Sequence, residues 1–477
     1  GFDNMSDVLT LSPTLLDGYI RAAGKISRLA VGDVSASPSV ETYIVPQSLS
    51  QLDHVEGTPF GTRGGIAVRH NFSADGEYIF RINLYHRSLG PLFGDNKPAE
   101  GEQLEVSVNG KKVALFDIDR KRHTTEDIRT PPVFITAGPQ MISASFIRRA
   151  EGAVQDFVMP FEQATADLTT GNVKGLTGLP HVKTLGVDGP YKARGVSSMP
   201  SHDKIFTCWP TRSSEEVACA KTILSRLARQ AFRRPITDQD LVSFVALYQV
   251  NRDGGGDFYS AIRVSIQAIL ADPEFVFRFE RTPPDVTPGE NYFIDDLELA
   301  SRLSFFLWSS GPDDELITLA SKGKLSEPSN LKAQTRRMLA DPKSIALTEN
   351  FASHWLRLQN LKEIQPDVFL YPDWDYNLTQ SMQKETVLFF NSIVNEDRNL
   401  LDLLMADYTF VDGRLALHYD IPNIIGNRFR RVFVEDENRR GLLGQASLLT
   451  LTSLANRTSP VIRGAWILDV LLGAPPP

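Results

Sequence analysis

The hydrophobic period of this chain turns from helical to alternating near residue 40 and back to helical after Ser214, and no single type of secondary structure can satisfy both patterns. From about residue 40 to 150 apolar residues alternate, as in "GIAVRHNF" and "EYIFRINL". After Ser214 they recur every three to four residues almost to the end. Alternation puts every second side chain on one face of a strand, whereas the longer period puts a stripe on one face of a helix. Because the two patterns follow one another along the chain, they predict a multi-domain α+β chain. At 477 residues the chain also exceeds what one hydrophobic core serves, so two to four domains are expected.

Local signals place the elements. Ser12 and Pro13 read as cap and first residue of an N-terminal helix in the segment 1–35. Leu15, Leu16, Ile20, Ala23, Ile26 and Leu29 then follow at helical spacing and predict its core face. The "GKIS" within it lacks the spacing of a phosphate-binding loop. Over 36–150, strands meeting near Ala74-Asp75-Gly76, a tight turn at Asn109-Gly110 and two strands around the Gly-Pro of "PPVFITAGPQMISASFIRR" predict a jelly-roll-like β-sandwich. Residues 151–213 are rich in Gly, Pro, Ser and Thr and predict an extended connector. A small helical domain over 214–281 follows, with Ser214 as cap and Val217, Ala220, Ile223, Leu224 and Leu227 on its first apolar face. A larger helical domain over 282–436 precedes a C-terminal region, 437–477, that ends in a proline-rich linker.

The composition excludes some partners. A net charge of -8 with interspersed acids leaves no basic footprint for nucleic acid. No run approaches the roughly 18 apolar residues of a transmembrane segment. GxSxG, HExxH, GxGxxG, P-loop and CxxCH motifs are all absent. The carboxylate clusters Asp295, Asp296, Glu298 and Asp313, Asp314, Glu315 stand where helices begin and read as caps rather than as a catalytic pair. His354 and Trp355 read as core residues.

Three groups remain. Cys208 and Cys219 are not spaced as a metal or redox motif; a local disulfide in an oxidising compartment is preferred to two buried thiols. Arg457, Thr458, Ser459 and Arg463 surround Pro460 and read as a capped helix docking the C-terminal linker, or as a contact for an acidic group beyond it. The loop "SQLDHVEGTPFGTRGG", 50–65, gathers Asp53, His54, Glu56 and Arg63 among glycines just before a strand.

Taken in order, "GFDN", "LTLSPTLLDGYIRAAGKISRLAVGD", "DHVEGTPFGTRGG", "ARQAFRRPITDQDL", "DLELASRLSFFLWSSGPDDEL", "MLADPKSIALTENFASHWLRLQNL", "DYTFVDGRLALHYDIP" and "RTSPVIRGAWIL" resemble the large bacterial proteins of the planctomycete cytochrome-associated type. Their regions are known mainly as domains of unknown function. The strand-rich part resembles a calcium-dependent, xylan-binding carbohydrate module. The resemblance implies a periplasmic or extracellular setting, with haem c carried only by flanking segments and cytochrome domains or other extracytoplasmic proteins as partners. The opening at "GFDNMSD" and the final prolines read as a piece of a longer polypeptide. On that basis Asp53 and Glu56 offer hard oxygens to calcium at the sandwich rim, and His54 and Arg63 offer hydrogen bonds to polysaccharide hydroxyls. Alternatively, Arg63 pairs with Asp53 or Glu56 and seals the loop onto the helical part. The leading expectation is a non-catalytic binding and scaffold segment that supports electron transfer. The alternatives are a polysaccharide-active enzyme and a structural subunit of a cell-surface assembly.

Overall fold

The computed structural model describes residues 12–47, 49–86, 101–118, 128–149, 179–284, 286–287, 289–367, 370–371 and 373–476. By internal contacts the chain divides into two units, residues 1–35 with 195–352 and residues 36–194 with 353–477.

In the first unit, helix α1 (Pro13–Val31) starts where the sequence places it: the Ser12 hydroxyl accepts from the Leu15 amide at 3.2 Å. Its buried face shares only Ala23 with the expected one. Ala23, Gly24, Ser27 and Val31 are buried, while Leu15, Leu16, Ile20 and Ile26 are exposed. Small side chains let α1 lie close along α5 (Phe258–Ala271), where a Cβ on Gly24 would stand 3.2 Å from Gln267. Arg263 of α5 then pairs with Asp33, just beyond α1, at 2.9 Å.

Helices α2 (Pro200–Ile205), α3 (Glu216–Phe232) and α4 (Asp238–Asp253) join α1 and α5 around one core that includes Phe206, Ile223, Leu224, Phe244 and Ile262. Ser214 does not cap α3. A single 3₁₀ turn precedes it, and the Glu215 carboxylate accepts from the amide and hydroxyl of Thr211 at 3.0 and 2.9 Å. The end of α3 explains the "FRRP" motif. Arg233 adopts a left-handed conformation, φ 60°, and its guanidinium donates to the carbonyls of Ala231, Glu274, Phe275 and Phe277. Arg234 reaches Asp240, which closes the capping box of α4, and Glu274 in α6 (Pro273–Val276). One dipeptide therefore ties three helices together. Farther on come α7 (Asp296–Trp308), α8 (Asp314–Ala320) and α9 (Pro328–Ala340). Asp295 and Asp313 cap α7 and α8, accepting from the Glu298 and Leu316 amides at 2.8 and 3.0 Å.

The second unit holds the sandwich. Strands β1 (Ser39–Ile44), β2 (Thr62–Phe72), β3 (Asp75–Leu84), β4 (Gln103–Val108), β5 (Lys111–Asp117), β6 (Ile128–Arg129), β7 (Val133–Ile135), β8 (Gly138–Ile147) and β9 (Val182–Gly195) form two sheets. One is ordered β1-β9-β3-β6, with β7 also on β3; the other is β2-β8-β4-β5. Tyr78, Phe80, Ile82 and Leu84 alternate inward from β3 and meet Leu104, Val106, Ile142 and Phe146 of the other sheet. Asn109 and Gly110, both at positive φ, make the two-residue turn between β4 and β5. The strands on either side of the Gly-Pro step are not a hairpin, because β7 pairs with β3 while β8 pairs with β2 and β4. Of the expected connector, residues 151–178 lie outside the described residues; the remainder carries strand β9 and helix α2.

The same unit continues with α10 (Ser353–Trp355), α11 (Tyr376–Asn395), α12 (Asp402–Met405), β10 (Tyr408–Val411), α13 (Gly413–His418), β11 (Arg430–Phe433), α14 (Ala446–Leu451), the hairpin β12 (Ser453–Leu454) and β13 (Arg457–Thr458), and α15 (Pro460–Trp466). Leu378, Met382, Val411 and Leu415 pack together in a buried cluster of this helical part. No helix among the described residues is long and apolar enough to cross a membrane.

Candidate functional site

The loop 50–65 is built from its buried end outward. Gln51 is fully buried; its side-chain oxygen accepts from the Gly65 amide at 2.7 Å and its carbonyl accepts from Arg63 at 3.1 Å. Gly64 and Gly65 take positive φ where the β2–β8 register slips, and a Cβ on Gly65 would stand 1.9 Å from the Ala144 carbonyl oxygen. That close approach accounts for the paired glycines.

Arg63 corrects the sequence reading. It is 6% exposed, pairs with Glu102 at 2.5 Å and lies over the Phe146 ring at 5.3 Å. A guanidinium this deep needs a carboxylate partner, and the partner comes from 39 residues away rather than from Asp53 or Glu56. Arg63 therefore fixes the base of the loop and does not face the rim.

Two asparagines that the sequence reading did not single out hold the outer part. Asn377, at the start of α11, accepts from the Ser50 amide at 3.0 Å and lies 3.4 Å from the Asp53 carboxylate. Asn427 donates to the His54 carbonyl at 3.2 Å. The Asp53 carbonyl accepts from Gly64 at 2.8 Å, and the His54 ring sits 3.3 Å from the Thr58 hydroxyl. Phe60 is parallel to His54, with ring centroids 6.0 Å apart, and is 99% exposed. Asp53 and Glu56 are exposed on the same loop. Among the described residues they join no group of three or more His, Cys, Asp or Glu able to hold a metal ion. Calcium takes roughly six to eight oxygens, so the two carboxylates supply only part of such a shell.

The other two expected groups are local structure. Cys208 and Cys219 form a disulfide with Cα atoms 5.5 Å apart, tying the start of α3 to the segment after α2. Ser459 caps α15, accepting from Ile462 at 3.3 Å. Arg463 donates to the hydroxyls of Thr452 and Thr458 at 3.2 and 3.0 Å, which binds α15 to the hairpin. Arg457 is exposed.

A buried polar cluster on α11 was also missed. Glu385 is 1% exposed, and its two oxygens accept from the hydroxyls of Thr409 and Tyr419 at 2.6 and 2.7 Å. Tyr419 in turn accepts from the Ala446 amide at 2.7 Å, and Arg439 lies 5.0 Å over its ring. Burial pushes the Glu385 carboxyl up to about 7, opposed by these two hydroxyls and by the charge of Arg439. Asp412 caps α13 and accepts from Ser381 at 2.7 Å, and Thr386 bonds to Gln445 and Ser447. The sequence signal was a Glu, with Ser and Thr, on the same face as Leu378, Met382 and Phe389.

Residues 294–421 match the sequence model of the family described as PSD4, a protein of unknown function (DUF1592). Residues 219–280 match PSD5, a protein of unknown function (DUF1595), and residues 439–477 match PSCyt3, a protein of unknown function (DUF1588). These are cytochrome-associated domain families of planctomycete type, and the three matches support a multi-domain, cytochrome-associated protein. No curated protein matches it. Among solved structures, dimeric latent PorU from Porphyromonas gingivalis aligns at 13% identity over 35% of this chain and 15% of PorU, with a TM-score of 0.15.

Proposed function

We propose that this chain, assembled from cytochrome-associated domains, is an extracytoplasmic, non-catalytic binding and scaffold segment whose sandwich rim recognises polysaccharide. The carrying observation is the loop 50–65, whose interior is fixed by Gln51 and by Arg63 with Glu102 while Asp53, Glu56 and Phe60 are exposed. A loop held from within keeps its exposed groups in one arrangement, which lowers the ordering cost of binding. The two carboxylates accept hydrogen bonds from sugar hydroxyls, and the phenyl ring offers an apolar face to a pyranose. Where calcium binds, Asp53 and Glu56 are the residues that would hold it, as hard oxygen donors. The Cys208–Cys219 disulfide supports an oxidising compartment. Haem, on this reading, belongs to flanking cytochrome segments, and the chain supports their electron transfer by positioning them on the polymer.

Equilibrium binding to xylan and to a panel of other insoluble polysaccharides, in calcium and in chelator, tests the rim. Binding that is lost in the Asp53→Ala/Glu56→Ala variant supports the proposal. Absence of binding to every polymer, or binding that the double variant leaves unchanged, overturns it.

A further inference from the structure

In the first unit a cleft of 690 Å³ opens along the polar side of α3, bordered by the start of α4 and by α8. Lys221, Ser225 and Arg229 line it at successive four-residue steps, a stripe about 12 Å long at the helical rise. The opposite side of α3, with Ala220, Ile223 and Leu224, is core. The charges along the stripe are unevenly matched. Arg229 pairs with Asp314 at 3.3 Å and donates to the Thr318 hydroxyl at 3.0 Å. Arg226 donates to the carbonyls of Lys204 and Ile205, makes no ion pair with a described carboxylate, and keeps a buried Nε without an acceptor among the described residues. Lys221 is exposed and likewise makes no ion pair with a described carboxylate. Asp238 supplies a second carboxylate, and Leu241 is the one apolar lining residue.

We infer that this cleft binds a carboxylate-bearing saccharide, a short run of uronic acid units. Its volume falls within the roughly 300–1,000 Å³ of small-molecule sites. Lys221 offers ammonium donors to a carboxylate, and the Arg226 guanidinium, held by the Lys204 and Ile205 carbonyls, adds positive charge beside it. Asp238 and Asp314 can only accept, so they suit a ligand rich in hydroxyl donors, and Ser225 and Thr318 serve either role. An apolar ligand would find a single leucine here, a nucleic acid would meet two carboxylates, and an acidic peptide would give those carboxylates few hydroxyls to bind. A hydroxyl-rich anion satisfies both signs of charge.

The test is calorimetric titration of the full chain with tetragalacturonate, with xylotetraose as the neutral control. Three variants are compared: Lys221→Glu, which changes an exposed side chain, Asp238→Asn, and Asp53→Ala/Glu56→Ala. Binding of the uronate in preference to xylotetraose, weakened by salt and by about tenfold or more in Lys221→Glu, with melting temperature unchanged, supports the cleft. A smaller loss in Asp238→Asn and none in the rim variant supports it further. No binding of tetragalacturonate, equal binding of the neutral sugar, or equal affinity in Lys221→Glu overturns it. Loss of binding in the rim variant alone also overturns it and moves the ligand to the loop.

Discussion

Replacing Glu385 by Gln should make the protein's stability less dependent on pH, with a sign that the buried cluster dictates. The folded-state carboxyl titrates near 7 against an ordinary value of 4.5, so the folded chain holds a proton that the unfolded chain has released between those values. Where the native state binds more protons, stability falls as pH rises. The contribution of Glu385 is therefore fully present below pH 4.5 and is lost as pH climbs to 7 and beyond. A shift of this size corresponds to about 3 kcal/mol at roughly 1.4 kcal/mol per pH unit. Gln keeps the shape of the protonated acid, with one acceptor and one donor for the hydroxyls of Thr409 and Tyr419, but carries no charge. Melting of wild type and Glu385→Gln, followed from pH 4.5 to 8, should show the two nearly equal at the acid end. The variant should then gain on the order of 5–10 °C over wild type by pH 8. A difference that is flat across the range, or one in which wild type gains as pH rises, would show that burial does not keep Glu385 protonated in the fold. The latter would mean that Arg439 holds Glu385 ionised in the fold.

Three further outcomes follow from the packing. Arg63→Met should cost about 3–5 kcal/mol by stranding buried Glu102, and adding Glu102→Leu should recover most of that loss in denaturant unfolding. Arg233→Ala and Arg233→Gly both lose the donors to four carbonyls, but Ala also keeps a side chain at φ 60°, so it should melt below Gly by about 1 kcal/mol equivalent. Reduction of Cys208–Cys219 should destabilise the first unit by about 2–3 kcal/mol through the freed loop, read as a melting shift that Cys208→Ser/Cys219→Ser reproduces and reductant no longer changes.

What the sequence made legible was local. Ser12 before Pro13, Asp295 and Asp313 before acidic first turns, and Asn109-Gly110 between alternating runs act through neighbours within a few residues, and each appears in the structure where its chemistry places it. Strand β9 was hidden because several successive residues are buried at its centre and the run contains Gly and Pro, which erases the alternation. The buried face of α1 was misread because close packing against α5 selects small residues over the larger Leu and Ile. In the loop 50–65 Asp53 and Glu56 are exposed, but the partners that shape the loop are remote in sequence: Glu102 for Arg63, Asn377 for Ser50 and Asn427 for His54. Periodicity carries no information on such pairs. Glu385 did leave a trace, a charged residue on an apolar helical face, yet its hydroxyl partners 24 and 34 residues away did not.

As the proposed binding scaffold of a cytochrome-bearing assembly, this chain should be isolated together with covalently held haem. The reduced-minus-oxidised visible spectrum of the native protein, purified from its own host under conditions that preserve covalent haem, tests it most directly. The expected result is c-type haem bands in stoichiometric amount with this chain. A native preparation containing the chain but no haem absorbance would contradict it.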